Sequence, residues 1–366
     1  MIIPFIDLGF LFFFSLTSLF VLRKVAKKIG LVDKPNERKL HQGAIPLVGG
    51  IAICFSLAYF LFNNPSVIPH SPLYATCITL LVIVGALDDK YDLNFKIRII
   101  IQAGLSIAMM MIGGIELHTI GNVFGFGEVK LGLTGYVITI LAVVGSINAF
   151  NMVDGIDGLL GALSIVTFGG LGLMLAYDGQ PQLAYLCLVM IVIILPYILL
   201  NIGAFGRKRK VFMGDAGSML IGFTVIWFLL LSSQNGKTPP LRPITALWLI
   251  AVPLMDMAAI MLRRIRRGDS PFKPDREHLH HIFQRLGLSS LQTVLAISLI
   301  AASFAACGIL GEIYNLREAF MFYSFIACFA IYAMLLNYVW RVTRFVRTLL
   351  GIKDTPQEIK HGMDKS

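Results

Sequence analysis

Carboxylates and carboxamides sit in a few short stretches of a chain that otherwise carries little charge. In NAFNMVDGIDGLLG, residues 148–161, polar side chains recur at every third position: Asn148, Asn151, Asp154 and Asp157. On an α-helix a step of three turns back by about 60°, so Asn148, Asn151 and Asp154 are expected on one broad face. Gly155 and Gly158 permit a break before the next apolar run. In GALDDKYDLNFKIR, Asp88 and Asp89 close an apolar run, with Asp92 one helical turn on. Adjacent carboxylates at a helix C-terminus repel each other and oppose the macrodipole, a cost that a divalent cation removes. Mg2+ needs few carboxylates when phosphate oxygens and water complete its shell. A solvated turn accounts for the pair equally well when it is taken alone.

Three further stretches carry matching groups. VFMGDAGS places Asp215 between glycines just before another apolar run, where an N-cap role for Asp215 or Ser218 is the simpler reading. Asn201 ends the preceding run, and the basic RKRK of residues 207–210 lies between them. RRIRRGDSPFKPDREHLHHIFQRLG holds His278, His280 and His281. Cysteine partners for zinc are absent there, so phosphate contact by His and Arg is the better reading. DKPNERKLHQGAIPLVGG offers Lys39 and His41 as donors. Carboxylates, basic donors and glycine-flanked helix starts, brought to one place, are what phosphoryl transfer needs, since its catalysis is mostly positioning and charge neutralisation. EF-hand spacing is absent, which sets calcium aside.

The elements that must position these groups are set by a bilayer. The chain of 366 residues is 57% hydrophobic and 14% charged, against about a quarter charged in a soluble domain. Apolar runs near the membrane-spanning length of about 20 residues predict an all-α, polytopic fold. Helices are expected near 2–22, 45–62, 71–87, 97–115, 132–150, 158–176, 182–200, 216–233, 243–262, 290–310 and 319–339, about eleven in all. With that count, 27 of the 31 Lys and Arg fall on one side, in residues 23–44, 88–98, 201–215, 263–289 and 340–366. The positive-inside bias makes that side cytoplasmic, with the N-terminus periplasmic and the C-terminus cytoplasmic. Every stretch described above then opens to the cytoplasm. One membrane domain over 1–340 with a basic tail over 341–366 is the expected organisation, and residues 116–131 read as an outward hairpin.

The net charge of +10 is mostly this topological signal plus contact with membrane lipid. Its scatter among short loops excludes a nucleic-acid surface. Five cysteines, all inside expected helices, read as small apolar residues. A secondary transporter is the rival class, but its site would lie near the midplane, whereas the acidic residues cluster at one membrane face, with Asp256 the main exception.

The motifs VGALDDKYD, INAFNMVDGIDGLLG, VFMGDAGS and HLHH, in this order, resemble the polyprenyl-phosphate N-acetylhexosamine-1-phosphate transferases, over about residues 33 to 285. The resemblance implies a bacterial inner-membrane enzyme with a cytoplasmic active site. It implies that UDP-GlcNAc and undecaprenyl phosphate give GlcNAc-diphospho-undecaprenol and UMP with Mg2+ or Mn2+, opening O-antigen and enterobacterial common antigen assembly. Another UDP-N-acetylhexosamine is the alternative donor, and a homo-oligomer is allowed for. By resemblance, Asp88 and Asp89 are linked to metal and to activating the lipid phosphate. Asp215 matches the principal metal ligand. Asn151, Asp154, Gly155 and Asp157 match a nucleotide-facing motif, beside which Asn148 is assigned to substrate. Asn201 and Phe212 match the nucleoside pocket. His280 and His281 match the first two of three consecutive histidines in the relatives that transfer phospho-MurNAc-pentapeptide, with Ile282 in the third place and His278 extra. Asp92 stands where those relatives carry Lys, which argues against that branch. A basic residue of theirs falls on Gln42, leaving Lys39 or His41 as the donor. Asp88, Asp89, Asp154, Asp157, His280 and His281 are thus the expected catalytic set. No general base is assigned, because a phosphate monoester is already largely ionised near neutral pH.

Overall fold

The computed structural model describes residues 5–33, 43–234, 239–271 and 278–338. Lys39, His41 and the basic tail lie outside the described residues. Each expected run is helical: α1 Phe5–Ile29, α2 Gly49–Asn63, α3 Ser71–Tyr91, α4 Phe95–Gly113, α5 Thr134–Met152, α6 Leu159–Tyr177, α7 Pro181–Asn201 and α8 Gly214–Gln234. The chain continues with α9 Pro243–Leu249, α10 Ala251–Arg266, α11 Leu279–Arg285, α12 Ser290–Ile313 and α13 Glu318–Asn337. Among the described residues, nine helices are long and apolar enough to cross a membrane, or ten with α9 and α10 taken as one span. α2 is apolar but has only 15 residues, about 22 Å at 1.5 Å per residue.

The run at 243–262 does not form a single straight helix. It breaks at Ile250, where α9 and α10 meet at 82°. Pro253 has no N–H for the carbonyl of Leu249 four residues back. The Thr167 hydroxyl on α6 donates to that carbonyl instead, at 3.3 Å, so the break is satisfied within protein, as a bilayer requires.

Helix α8 is the axis of the bundle. It is buried along nearly its whole length and is surrounded by α2, α3, α5 and α6. Close approach depends on missing side chains. A Cβ on Gly85 of α3 would lie 2.4 Å from the backbone of Ala216, and one on Gly50 of α2 would lie 2.1 Å from Gly217 N. The polar ends of α3, α5 and α7 and the starts of α4, α6 and α8 therefore meet at one end of the bundle.

A small β element joins that end. β1 Val32–Asp33 pairs antiparallel with β2 Ile45–Pro46, and the Phe212 N–H donates to the Pro46 carbonyl at 2.9 Å. At the opposite end, the expected hairpin is present as a bridge between Thr119 and Lys130. The cysteines are unpaired, with Cys54, Cys77 and Cys187 buried and Cys307 exposed on α12.

Candidate active site

A cavity of about 1580 Å3 opens at the end where these helices meet. Asp88, Asp89, Asp92, Asn151, Asp154, Gly155, Asp157, Asn201, Phe212, Asp215 and His281 all line it. Carboxylates from residues 88, 154 and 215, far apart in the chain, thus share one surface.

Asp88 and Asp89 are neighbours with different duties. The carboxylate of Asp88, 5% exposed, accepts from the Leu93 N–H at 2.8 Å and from Arg98 at 2.5 Å. Asp89 accepts from the first N–H groups of α8, those of Asp215 at 2.9 Å and Ala216 at 3.4 Å. A carboxylate from α3 therefore caps α8, and the expected N-cap role for Asp215 or Ser218 is replaced by this one. Gly214, at φ +75°, must be glycine, since a Cβ there would lie 2.3 Å from Asp89 Oδ2.

Asp215 projects beside Asp88. It accepts from Asn151 Nδ2 at 2.6 Å and from Arg98 Nη1 at 3.2 Å. Asn151 also donates to Ser218 at 2.8 Å. One guanidinium on α4 thus bridges two carboxylates that would otherwise repel. Sequence reading missed Arg98, because it is one of many basic residues on the side that topology makes basic.

The turn at 153–158 departs from the single face expected for it. Helix α5 ends at Met152, so Asp154 stands beyond it in a turn. Asn148 lies one turn deeper, donating to Gln102 at 3.1 Å and to the Val144 carbonyl at 2.7 Å, and is not on the cavity wall. Asp154 keeps part of its surface on the cavity, and its carboxylate has no hydrogen-bond donor among the described residues. Burial, then the charges of Asp215, Asp89 and Asp157, push its pKa up to about 8. Asp157 pairs with Lys210, whose ammonium lies 5.3 Å from the centroid of the Phe212 ring.

Asn201 serves the scaffold. Its amide oxygen accepts from the Gly158 N–H at 2.5 Å, and its nitrogen donates to the Val211 carbonyl at 2.9 Å. It ties the 153–158 turn to the strand-like segment ahead of α8. The amide groups at the starts of α6 and α8 are in part already engaged by Asn201 and Asp89.

The histidines divide. His281 lines the cavity. His280 is 2% exposed, and a Cβ on Gly155 would lie 2.2 Å from its Nε2. Burial, reinforced by His281 and His278, lowers its pKa to about 3, so it is neutral at physiological pH and brings no positive charge to a phosphate. His278 is not on the cavity wall and faces Asp256 at 2.8 Å. The cavity's cationic side comes from Arg207, Lys208, Lys210 and Arg285.

Among the described residues, no group of three or more His, Cys, Asp or Glu side chains forms a ready metal cage. The donor set instead fits a hard ion shared with substrate. Asp88 and Asp215 face each other in a cleft, Asp154 is left without a donor, and Mg2+ takes few protein oxygens when phosphates supply the rest.

These features define a membrane transferase acting on phosphorylated substrates, and comparison with known proteins agrees. Residues 71–233 match the model of glycosyl transferase family 4. The chain is 54% identical to an undecaprenyl-phosphate alpha-N-acetylglucosaminyl 1-phosphate transferase of Yersinia pestis, over 93% of each chain. It is 52% identical to the protein of that name from Escherichia coli strain K12, over 93% of each chain. For the Haemophilus influenzae protein the identity is 49%, over 91% of this chain and 94% of the relative. The chain belongs to this family of phosphoglycosyl transferases.

Proposed function

We propose that the protein transfers GlcNAc-1-phosphate from UDP-GlcNAc to undecaprenyl phosphate and releases UMP. The observation that carries this reading is the meeting of Asp88, Asp154 and Asp215 in one cavity at one end of the bundle, with Arg98 bridging Asp88 and Asp215. The names of relatives about half identical to this chain supply the acceptor, undecaprenyl phosphate, and the group transferred, N-acetylglucosaminyl 1-phosphate. A midplane transport site would place these carboxylates halfway along their helices, whereas they sit at helix ends.

The lipid phosphate oxygen attacks the β-phosphorus of UDP-GlcNAc. The bond from that phosphorus to the bridging oxygen breaks, and UMP leaves with the electron pair. Asp215 and Asp88 would hold Mg2+ or Mn2+, which neutralises diphosphate charge when bound. Asp89 fixes Asp215 by capping α8, and Asn151 orients its carboxylate. Arg98 supplies a guanidinium to the phosphates once Asp88 and Asp215 have another cation to share. Lys210 and Phe212 offer a charge and a ring face to the nucleotide half. Such a site lowers the barrier by positioning and shielding like charges, without a strong base.

The reading extends to the whole chain. Residues 1–340 form one catalytic membrane domain, crossing a bacterial inner membrane eleven times, with the cavity facing the cytoplasm and a basic tail following. In an eleven-span reading, residues 23–44, 88–98, 201–215, 263–289 and 340–366 fall on one side and carry 27 of the 31 Lys and Arg residues, which supports this orientation.

The test is UMP release from UDP-GlcNAc by purified protein with Mg2+ and undecaprenyl phosphate. Release should stop when the lipid is omitted, and Asp215→Asn should lower turnover by at least about a hundredfold. Release without lipid would mark a hydrolase, and wild-type turnover in the variant would remove Asp215 from its role.

A further inference from the structure

Helix α10 carries a carboxylate that the proposed chemistry does not use. Asp256 is 1% exposed and is not part of the cavity wall. A carboxylate within a spanning segment is expensive, so its partners indicate its purpose. Three groups converge on it. The Tyr332 hydroxyl of α13 donates to Oδ1 at 2.5 Å, the Leu279 N–H donates to Oδ1 at 3.1 Å, and His278 Nδ1 lies 2.8 Å from Oδ2.

Two of these partners are the cap and the first residue of α11. A helix of seven residues cannot hold itself together in isolation, so tertiary anchors must fix its place. On its far side α11 meets the cavity. The His278 and His280 rings stack 5.7 Å apart and nearly parallel, His280 abuts Gly155, and His281 reaches the cavity wall. A continuous line of contacts therefore runs from α13 through Asp256, His278 and His280 to the turn that carries Asp154.

We infer that Asp256 and Tyr332 are positioning residues. From within the membrane domain they clamp the start of α11, which sets His281 and the Gly155 turn against the nucleotide sugar. The inference rests on the transferase reading for its substrate, but the clamp itself can be tested apart from activity.

Tyr332→Phe removes one donor at almost no loss of volume. Asp256→Ala removes both acceptor oxygens, and Asp256→Asn keeps one for the Leu279 N–H. Hydrogen exchange would be followed by mass spectrometry in peptides of α11 and of α8, alongside UMP release at varied concentrations of each substrate. In Tyr332→Phe and Asp256→Ala, amides of residues 279–286 should exchange roughly tenfold faster or more, with α8 unchanged. The KM for UDP-GlcNAc should rise and that for undecaprenyl phosphate stay fixed, with Asp256→Asn in part restoring both readouts. Wild-type exchange and kinetics in Tyr332→Phe and Asp256→Ala would overturn the inference. Equal loss of protection in α8 and α11 in Tyr332→Phe would also overturn it, since Asp256 would then serve general stability. A wild-type protein that releases no UMP defeats the transferase reading, while the exchange data still decide the clamp.

Discussion

Asp89 and Asp215 are in contact, and the structure gives them opposite effects on stability. Asp89 satisfies two helix-start N–H groups, so Asp89→Asn turns an amide against one of them. The variant should lose about 1–2 kcal/mol of stability along with its activity. Asp215 instead stands beside Asp88 and, with no metal bound, adds a second negative charge that Arg98 alone must offset. Asp215→Asn should therefore lose activity while leaving the metal-free protein equally or more resistant to heat. Thermal unfolding of the two variants in a chelator distinguishes these outcomes. Asp154 gives a pH signature. Its pKa of about 8 lies above the usual 3.8, so the folded state binds more protons than the unfolded state between those values. Stability of the metal-free protein should fall as pH rises from about 4 to 8, and Asp154→Asn should flatten that slope. Of these residues, the gathering of the aspartates was legible in the sequence, because carboxylates at the ends of several apolar runs on one side of a bilayer must meet at one end of the bundle. Arg98 was not, since a topologically basic side hides one functional arginine among many. Nor was the split between Asp88 and Asp89, because adjacent residues on a helix point in different directions and only packing tells which one meets α8.

Helix ends and helix contacts carry the next level of organisation. The apolar runs marked where helices lie, and ten of the eleven expected runs are each found as one helix, the ninth being two. The break within the ninth run was missed because hydropathy is continuous through Ile250. Pro253 was its signal, but a proline near the start of a helix reads as ordinary until the unpaired carbonyl four residues back is considered. The short α11 was seen only as a histidine motif, since seven residues carry too little periodicity to read. The role of Asp256 became visible only when α13 returned to pack on α10. The clearest test at this scale is the α3–α8 contact. Gly85→Ala places a methyl group 2.4 Å from the Ala216 backbone, forcing the helices apart where Asp89 caps α8. It should cost about 1–3 kcal/mol and depress UMP release by roughly tenfold or more. Gly104→Ala on α4 meets no atom within 4 Å and should leave both unchanged or gain a few tenths of a kcal/mol. If both variants behaved alike, helix proximity would not be what aligns the carboxylates.

At the scale of the whole molecule, the two ends of the bundle differ in kind. The cavity end gathers the carboxylates and the basic connections. The other end carries the Thr119–Lys130 hairpin and the Arg242–Glu312 ion pair, with a 3.0 Å contact. A UDP-sugar is made and held in the cytosol, so a transferase reading requires the cavity end to face inward. The same arrangement follows independently from Lys and Arg placement, which acts during insertion and knows nothing of the substrate. These two arguments converge on one labelling experiment. In a background with Cys307 and Cys328 replaced by Ala, Lys28→Cys at the end of α1 and Lys130→Cys in the hairpin would be exposed to a membrane-impermeant maleimide. In intact cells Lys130→Cys should label and Lys28→Cys should not. In inverted membrane vesicles the pattern should reverse. Labelling of Lys28→Cys from outside would put the carboxylate cavity in the periplasm, away from UDP-GlcNAc, and the transferase orientation would fall even with every contact in the cavity intact.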